Sequence, residues 1–130
     1  MKFVKTEAPS FPDVDMNKLL SIKPGERWQV VCGDSGHWRV GIYSPGEASP
    51  EDIQELEKHD CPEFFLLLSG KMSLRLKDEN GLRDLVLEQG KPTLIEAPHC
   101  GFCPEGPHTG VALVVERDTF DTEYRTPQEW

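Results

Sequence analysis

Glu63-Phe64-Phe65-Leu66-Leu67-Leu68-Ser69-Gly70 sets an apolar run between a carboxylate and a glycine. The run is too short to span a membrane, and its length and bounds predict a buried strand. His59 stands four residues before Glu63. Two metal-capable side chains therefore sit at the mouth of a buried strand, where a rigid element can hold a site.

Turn chemistry cuts the rest of the chain into similar short pieces. Trp28–Cys32 reads as a strand, Gly33-Asp34-Ser35-Gly36 as a turn, and Trp38–Tyr43 as the next strand, with Val40 and Ile42 on one face. Lys71–Lys77 alternates, with Met72, Leu74 and Leu76 inward. Asn80-Gly81 is a strong hairpin signal, and Leu82–Leu87 returns from it. Pro92–Glu96 and Val111–Glu116 complete the strands, while the Pro- and Gly-rich stretch Ala97–Gly110 reads as a loop. One helix is expected. Ser49 can cap it, Pro50 suits its first position, and Glu51 and Asp52 favour the positive dipole end. Two turns would reach Lys58. Residues 1–15 read as a polar arm, 16–22 as a short helix or strand, and 118–130 as a polar tail over the surface or a partner subunit. Seven or eight short strands with little helix argue one all-β domain over 1–130, an antiparallel sandwich or barrel.

Charge narrows the partners. The net charge is −9 and no Lys/Arg cluster stands out, so nucleic acid and anionic membranes are poor partners and a small molecule is the better one. The N-terminal residues lack an apolar signal core, which makes the cytoplasm the expected location. In that compartment Cys32, Cys61, Cys100 and Cys103 read as thiols rather than a disulfide framework.

His59, Glu63 and Gly70 stand at the spacing His-x3-Glu-x6-Gly. With the Asn80-Gly81 hairpin, Gly90 and the Val111–Glu116 strand, they make the chain resemble a small cupin. Glu57 stands where the first motif's leading histidine belongs, Gly46 lies too far upstream, and Gly90, Pro98 and His99 match the second motif loosely. Within cupins, Glu63-Phe64-Phe65, Leu68-Ser69-Gly70, Leu113–Arg117 and Lys23-Pro24 are similar to 3-hydroxyanthranilate 3,4-dioxygenase. The resemblance implies a double-stranded β-helix with one or two short helices, a homodimer, iron held by two histidines and a glutamate, and Glu116 facing substrate. In ungapped alignment the family's two histidines fall on Glu57 and Gly101, so His59 and His99 would substitute through shifted loops. The family's substrate-clamping arginines have no counterpart: Arg39 lies too early and Arg117 follows the strand.

The expected metal set is thus His59, Glu63 and His99. Two imidazoles and a carboxylate on one face of a metal suit Fe(II), with zinc, nickel or manganese as alternatives. The competing reading makes His59 the end of a helix. His108 is the alternative to His99. Glu57 is either a fourth ligand or, preferably, a solvent-facing helix charge. Cys100-Gly101-Phe102-Cys103 reads as plain thiols, as half of a zinc site completed by Cys61 and either His99 or His108, or as a redox pair. Glu116 either faces the pocket as the candidate catalytic acid, base or substrate anchor, or lies at the strand end in water. The functions that follow are a metal-dependent oxygenase of a small aromatic or carboxylated substrate, a non-catalytic binding cupin, or a barrel with a structural zinc.

Overall fold

Alternating burial along the strands sets the architecture. The computed structural model describes residues 22–130, and the expectations for residues 1–21 lie outside them. Ten strands follow one another: β1 Trp28–Asp34, β2 Trp38–Tyr43, β3 Leu56–His59, β4 Glu63–Ser69, β5 Ser73–Asp78, β6 Gly81–Val86, β7 Thr93–Ile95, β8 His99–Phe102, β9 Val111–Glu116 and β10 Thr122–Arg125. They form two five-stranded antiparallel sheets, ordered β1-β2-β9-β4-β7 and β10-β3-β8-β5-β6. This is the double-stranded β-helix that the resemblance implied. Among the described residues no helix is long and apolar enough to cross a membrane.

The two sheets share one core. Phe65 and Leu67 of β4, Leu74 and Leu76 of β5, and Ala112 and Val114 of β9 are buried together with Tyr43, Met72, Leu87 and Ile95. Side chains two apart on a strand share a face. Once Phe65 and Leu67 point inward, Glu63 must do so too, and Ala112 and Val114 carry Glu116 in the same way. The core therefore forces two carboxylates into the interior at one end of the barrel. A second cluster of Ile53, Leu56, Cys100 and Phe102 lies under Trp130.

Three expectations are corrected. The helix over 49–58 is a single 3-10 turn, Pro50–Asp52. Its start signals do act, since the Asp52 carboxylate accepts from the amides of Ala48 and Ser49 at 3.0 and 3.2 Å. Burying Ile53 and Leu56 in the second cluster then pulls the chain into β3, where ladder pairing replaces helical bonds. Ala97–Gly110 is not all loop: β8 runs through it as an interior strand between β3 and β5. Its four residues are all buried, so they show no alternation to read. The tail does more than drape, because β10 pairs with β3.

Candidate metal centre

β3 ends at His59, a three-residue turn follows, and β4 begins at Glu63. His99 opens β8, which pairs with β3 so that His99 lies opposite Glu57. Four side chains from three strands thus meet: Glu57, His59, Glu63 and His99, with ligand atoms all within 4.8 Å of one another. His59 Nε2 is 2.7 Å and His99 Nε2 3.0 Å from Glu63 Oε1. Glu57 Oε1 stands farther out, 4.0 and 3.9 Å from the same two nitrogens. Ligands about 2.1 Å from a metal lie about 3 Å apart at right angles and about 4 Å apart across it. The four atoms have that spread.

The second ring nitrogens define which atoms are free. His99 Nδ1 is 2.8 Å from the Ala97 carbonyl oxygen and donates to it, which leaves Nε2 with a lone pair. His59 Nδ1 is 2.8 Å from Thr122 Oγ1. Although Glu63 Oε1 and His99 Nε2 are close, neither has a partner of hydrogen-bond geometry. Both residues are buried, at 4% and 3% exposure, and such orphaned acceptors are costly unless a cation joins them. The residues present therefore fit a divalent metal.

The electrostatics agree. Burial pushes the Glu63 carboxyl up, but the close approach of the His59 and His99 rings outweighs it and holds the group at about 2. Burial would depress both histidines, yet the Glu63 carboxylate prevails and raises each above its ordinary value.

Beside the four residues lies a cavity of about 300 Å³. Trp28, Tyr43, Phe65, Phe120 and Val114 supply its apolar wall, and Arg27, Arg39, Glu116, Thr122 and Tyr124 its polar one. Glu116 is buried; its Oε2 accepts from Arg39 Nε at 2.9 Å and lies 2.7 Å from Arg39 Nη2 in an ion pair. Burial raises the Glu116 carboxyl, Arg39 opposes this, and Glu63 adds to it, for a net value of about 7. Arg39 is held between Trp28 and Phe120, 5.4 and 5.1 Å from their ring centroids.

The structure thus brings His59, Glu63 and His99 together and puts Glu116 in the adjoining cavity. The helix-end reading of His59 is corrected, since the residue ends a strand. So is the solvent-facing reading of Glu57, which β3 turns toward the cluster. His108 does not join it: its backbone has φ of 60° and its Nδ1 contacts the Ser44 carbonyl oxygen at 2.7 Å. No cysteine joins a metal-capable group among the described residues, and all four are free thiols. Burial pushes Cys100 up to about 11, which keeps it protonated. Arg39, too early to align with the family's clamp, reaches the cavity because β2 pairs with β9 and sets it opposite Glu116. Sequence reasoning missed Thr122, Tyr124 and Phe120. The only signal available was the alternation of Thr122 and Tyr124, in a tail too polar to suggest a strand.

A sequence profile described as 3-hydroxyanthranilic acid dioxygenase matches residues 45–128. Among solved structures, a cupin-2 domain containing protein from Shewanella frigidimarina is 15% identical with a TM-score of 0.55, covering 81% of this chain and 94% of that one. FeII HppE is 14% identical with a TM-score of 0.57, covering 89% and 62%. The DMSP lyase DddQ from Ruegeria pomeroyi is 14% identical with a TM-score of 0.54, covering 76% and 50%. The chain thus spans less than two thirds of the HppE and DddQ chains, and at these identities the likeness is one of fold. No curated protein sequence matches.

Proposed function

The chain belongs to the 3-hydroxyanthranilic acid dioxygenase family, and on that premise we propose that it is a metal-dependent, oxygenase-type cupin enzyme. Its substrate is a small aromatic or carboxylated molecule. His59, Glu63 and His99 hold the metal, Fe(II) first among the candidates and zinc, nickel or manganese behind it, with Glu57 as an outer ligand. The observation that carries this reading is the convergence of two imidazole nitrogens on one orphaned carboxylate oxygen at the wall of a cavity of about 300 Å³. Iron, when bound, supplies Lewis-acid and one-electron chemistry toward O2.

The chain's own groups have distinct tasks in this reading. Glu63, itself buried, neutralises part of the metal's charge. Trp28, Phe65 and Phe120 exclude water and take a planar ring. Arg39 faces an anionic substituent. Glu116, near 7, accepts or returns a proton at Oε1, because Arg39 occupies Oε2. The family likeness adds a homodimer to the proposal.

A second reading, a non-catalytic binding cupin, draws on a specific feature. Both cavity arginines are already ion-paired, Arg39 with Glu116 and Arg27 with Glu47. Metal analysis of anaerobically purified protein tests the primary reading, alongside His59→Ala, Glu63→Ala and His99→Ala. Near-stoichiometric iron, nickel or manganese lost in all three variants supports it, and O2 consumption with small aromatic acids then separates enzyme from binder. No metal, or zinc that survives all three changes, overturns it.

A further inference from the structure

The two histidines of the metal centre are oriented by different means. His99 Nδ1 is tied to the main chain two residues away, at Ala97. His59 Nδ1 is tied to a side chain, Thr122 Oγ1, from a strand 63 residues later. For Nε2 to present a lone pair to a metal, Nδ1 must carry the proton and Thr122 must accept it. The aim of one ligand thus depends on the C-terminal strand.

Register explains why this strand can do it. β10 pairs with β3 so that Thr122 lies opposite His59 and Tyr124 opposite Glu57. Alternation turns Thr122 and Tyr124 to the cavity, and both line it. Glu123 and Arg125 face the other way and pair with each other. Just before the strand, the Phe120 ring packs 4.5 Å from the His59 ring. Asp121 and Trp130 pin the segment at its two ends, through Asp60 N to Asp121 O at 3.2 Å and Trp130 Nε1 to Leu56 O at 3.3 Å. Within this C-terminal segment, Phe120 and Thr122 are the residues that touch the His59 ring.

We infer that β10 is a working part of the metal centre, with Thr122 the positioning residue that sets the tautomer and aim of His59. The inference rests on the metal-centre reading above. Thr122→Val keeps the shape of the side chain and removes the acceptor, whereas Thr122→Ser keeps the acceptor. Loss of such an outer partner typically weakens metal binding by about 10–100-fold.

The test is a Co(II) titration of the full chain, wild type against both variants, with the visible spectrum as a second readout and the metal-free melting temperature as a fold control. The expected result is a Kd about 10–100-fold weaker for Thr122→Val, with recovery in Thr122→Ser and a metal-free protein that still melts cooperatively. Binding by Thr122→Val as tight as wild type overturns the inference while leaving the metal centre standing. A wild type that takes up no Co(II) overturns the metal centre itself, and the inference with it. Should Thr122→Val not fold, zinc-loaded wild type carries the test by NMR. A His59 Nδ1–H signal protected from solvent exchange is expected, and ligation through Nδ1, or an unprotected signal, overturns the proposal.

Discussion

Gly70 offers the sharpest test of how the barrel is closed. It ends the His-x3-Glu-x6-Gly spacing and sits at φ of +69°. A Cβ there would lie 2.0 Å from the Thr109 carbonyl oxygen, 2.9 Å from its carbon and 3.0 Å from Gly110 Cα. All three are main-chain atoms at the entry to β9, so no side chain can rotate away. Gly81 is the matched control: φ is +97°, with nothing within 4 Å of a built Cβ. For Gly81→Ala only the left-handed backbone matters, at about 1–2 kcal/mol. Gly70→Ala adds steric overpacking of about 1–3 kcal/mol, for a total of about 2–5 kcal/mol. That is a large share of the roughly 5–15 kcal/mol that keeps a domain folded. Urea unfolding followed by tryptophan fluorescence measures it. With a slope of about 2 kcal/mol per molar, the Gly70→Ala midpoint should fall about 0.5–1.5 M below that of Gly81→Ala at unchanged slope. A Gly70→Ala protein too unstable to fold also agrees. Equal midpoints, or a milder effect at Gly70, would refute the close-approach argument.

Metal-free and metal-loaded protein should respond oppositely to pH. The raised histidines contribute stability that is full below about 6.5 and lost as pH climbs through their elevated values. The depressed Glu63 contributes stability present above about 4.3 and lost as pH drops toward its value of about 2. The metal-free melting temperature should therefore decline from pH 6 to 8, while the stabilisation added by Co(II) grows as protons cease to compete; parallel trends in melts at three pH values would count against the cluster. Arg39→Met should cost about 1–3 kcal/mol, since Glu116 loses its partner but, already near 7, takes up a proton, and Arg39→Met/Glu116→Gln should recover most of it. A double-mutant cycle in urea checks this, and additive losses would deny the coupling. Leu74→Ala, at a fully buried core position, should cost about 2–5 kcal/mol in the same assay, and a loss below 1 kcal/mol would show that the core can collapse around the gap.

Much of the barrel was legible in the chain because β-strands write their faces at a period of two. Met72, Leu74 and Leu76 announce the inward face of β5 before any partner strand is known, whereas β4 and β9 are apolar on both faces and leave the direction of Glu116 open. Asn80-Gly81 announces its hairpin, because the turn and its two strands are neighbours in sequence. Segment 49–58 misled, since its cap residues are true local signals that act for one turn before Leu56 is drawn into the second cluster. β8 was hidden because full burial on both faces erases alternation.

By itself, the sequence determined the fold class and the motif spacing, both of which follow from local pattern. The tertiary structure alone decided that Glu57 faces the cluster, that Arg39 meets Glu116 across 77 residues, and that Thr122 aims His59 across 63. Those contacts depend on which strands pair and in what register. A one-residue slip would turn each of these side chains to the other face. Such pairing is set by the closure of the whole barrel, so no short stretch of this chain encodes it.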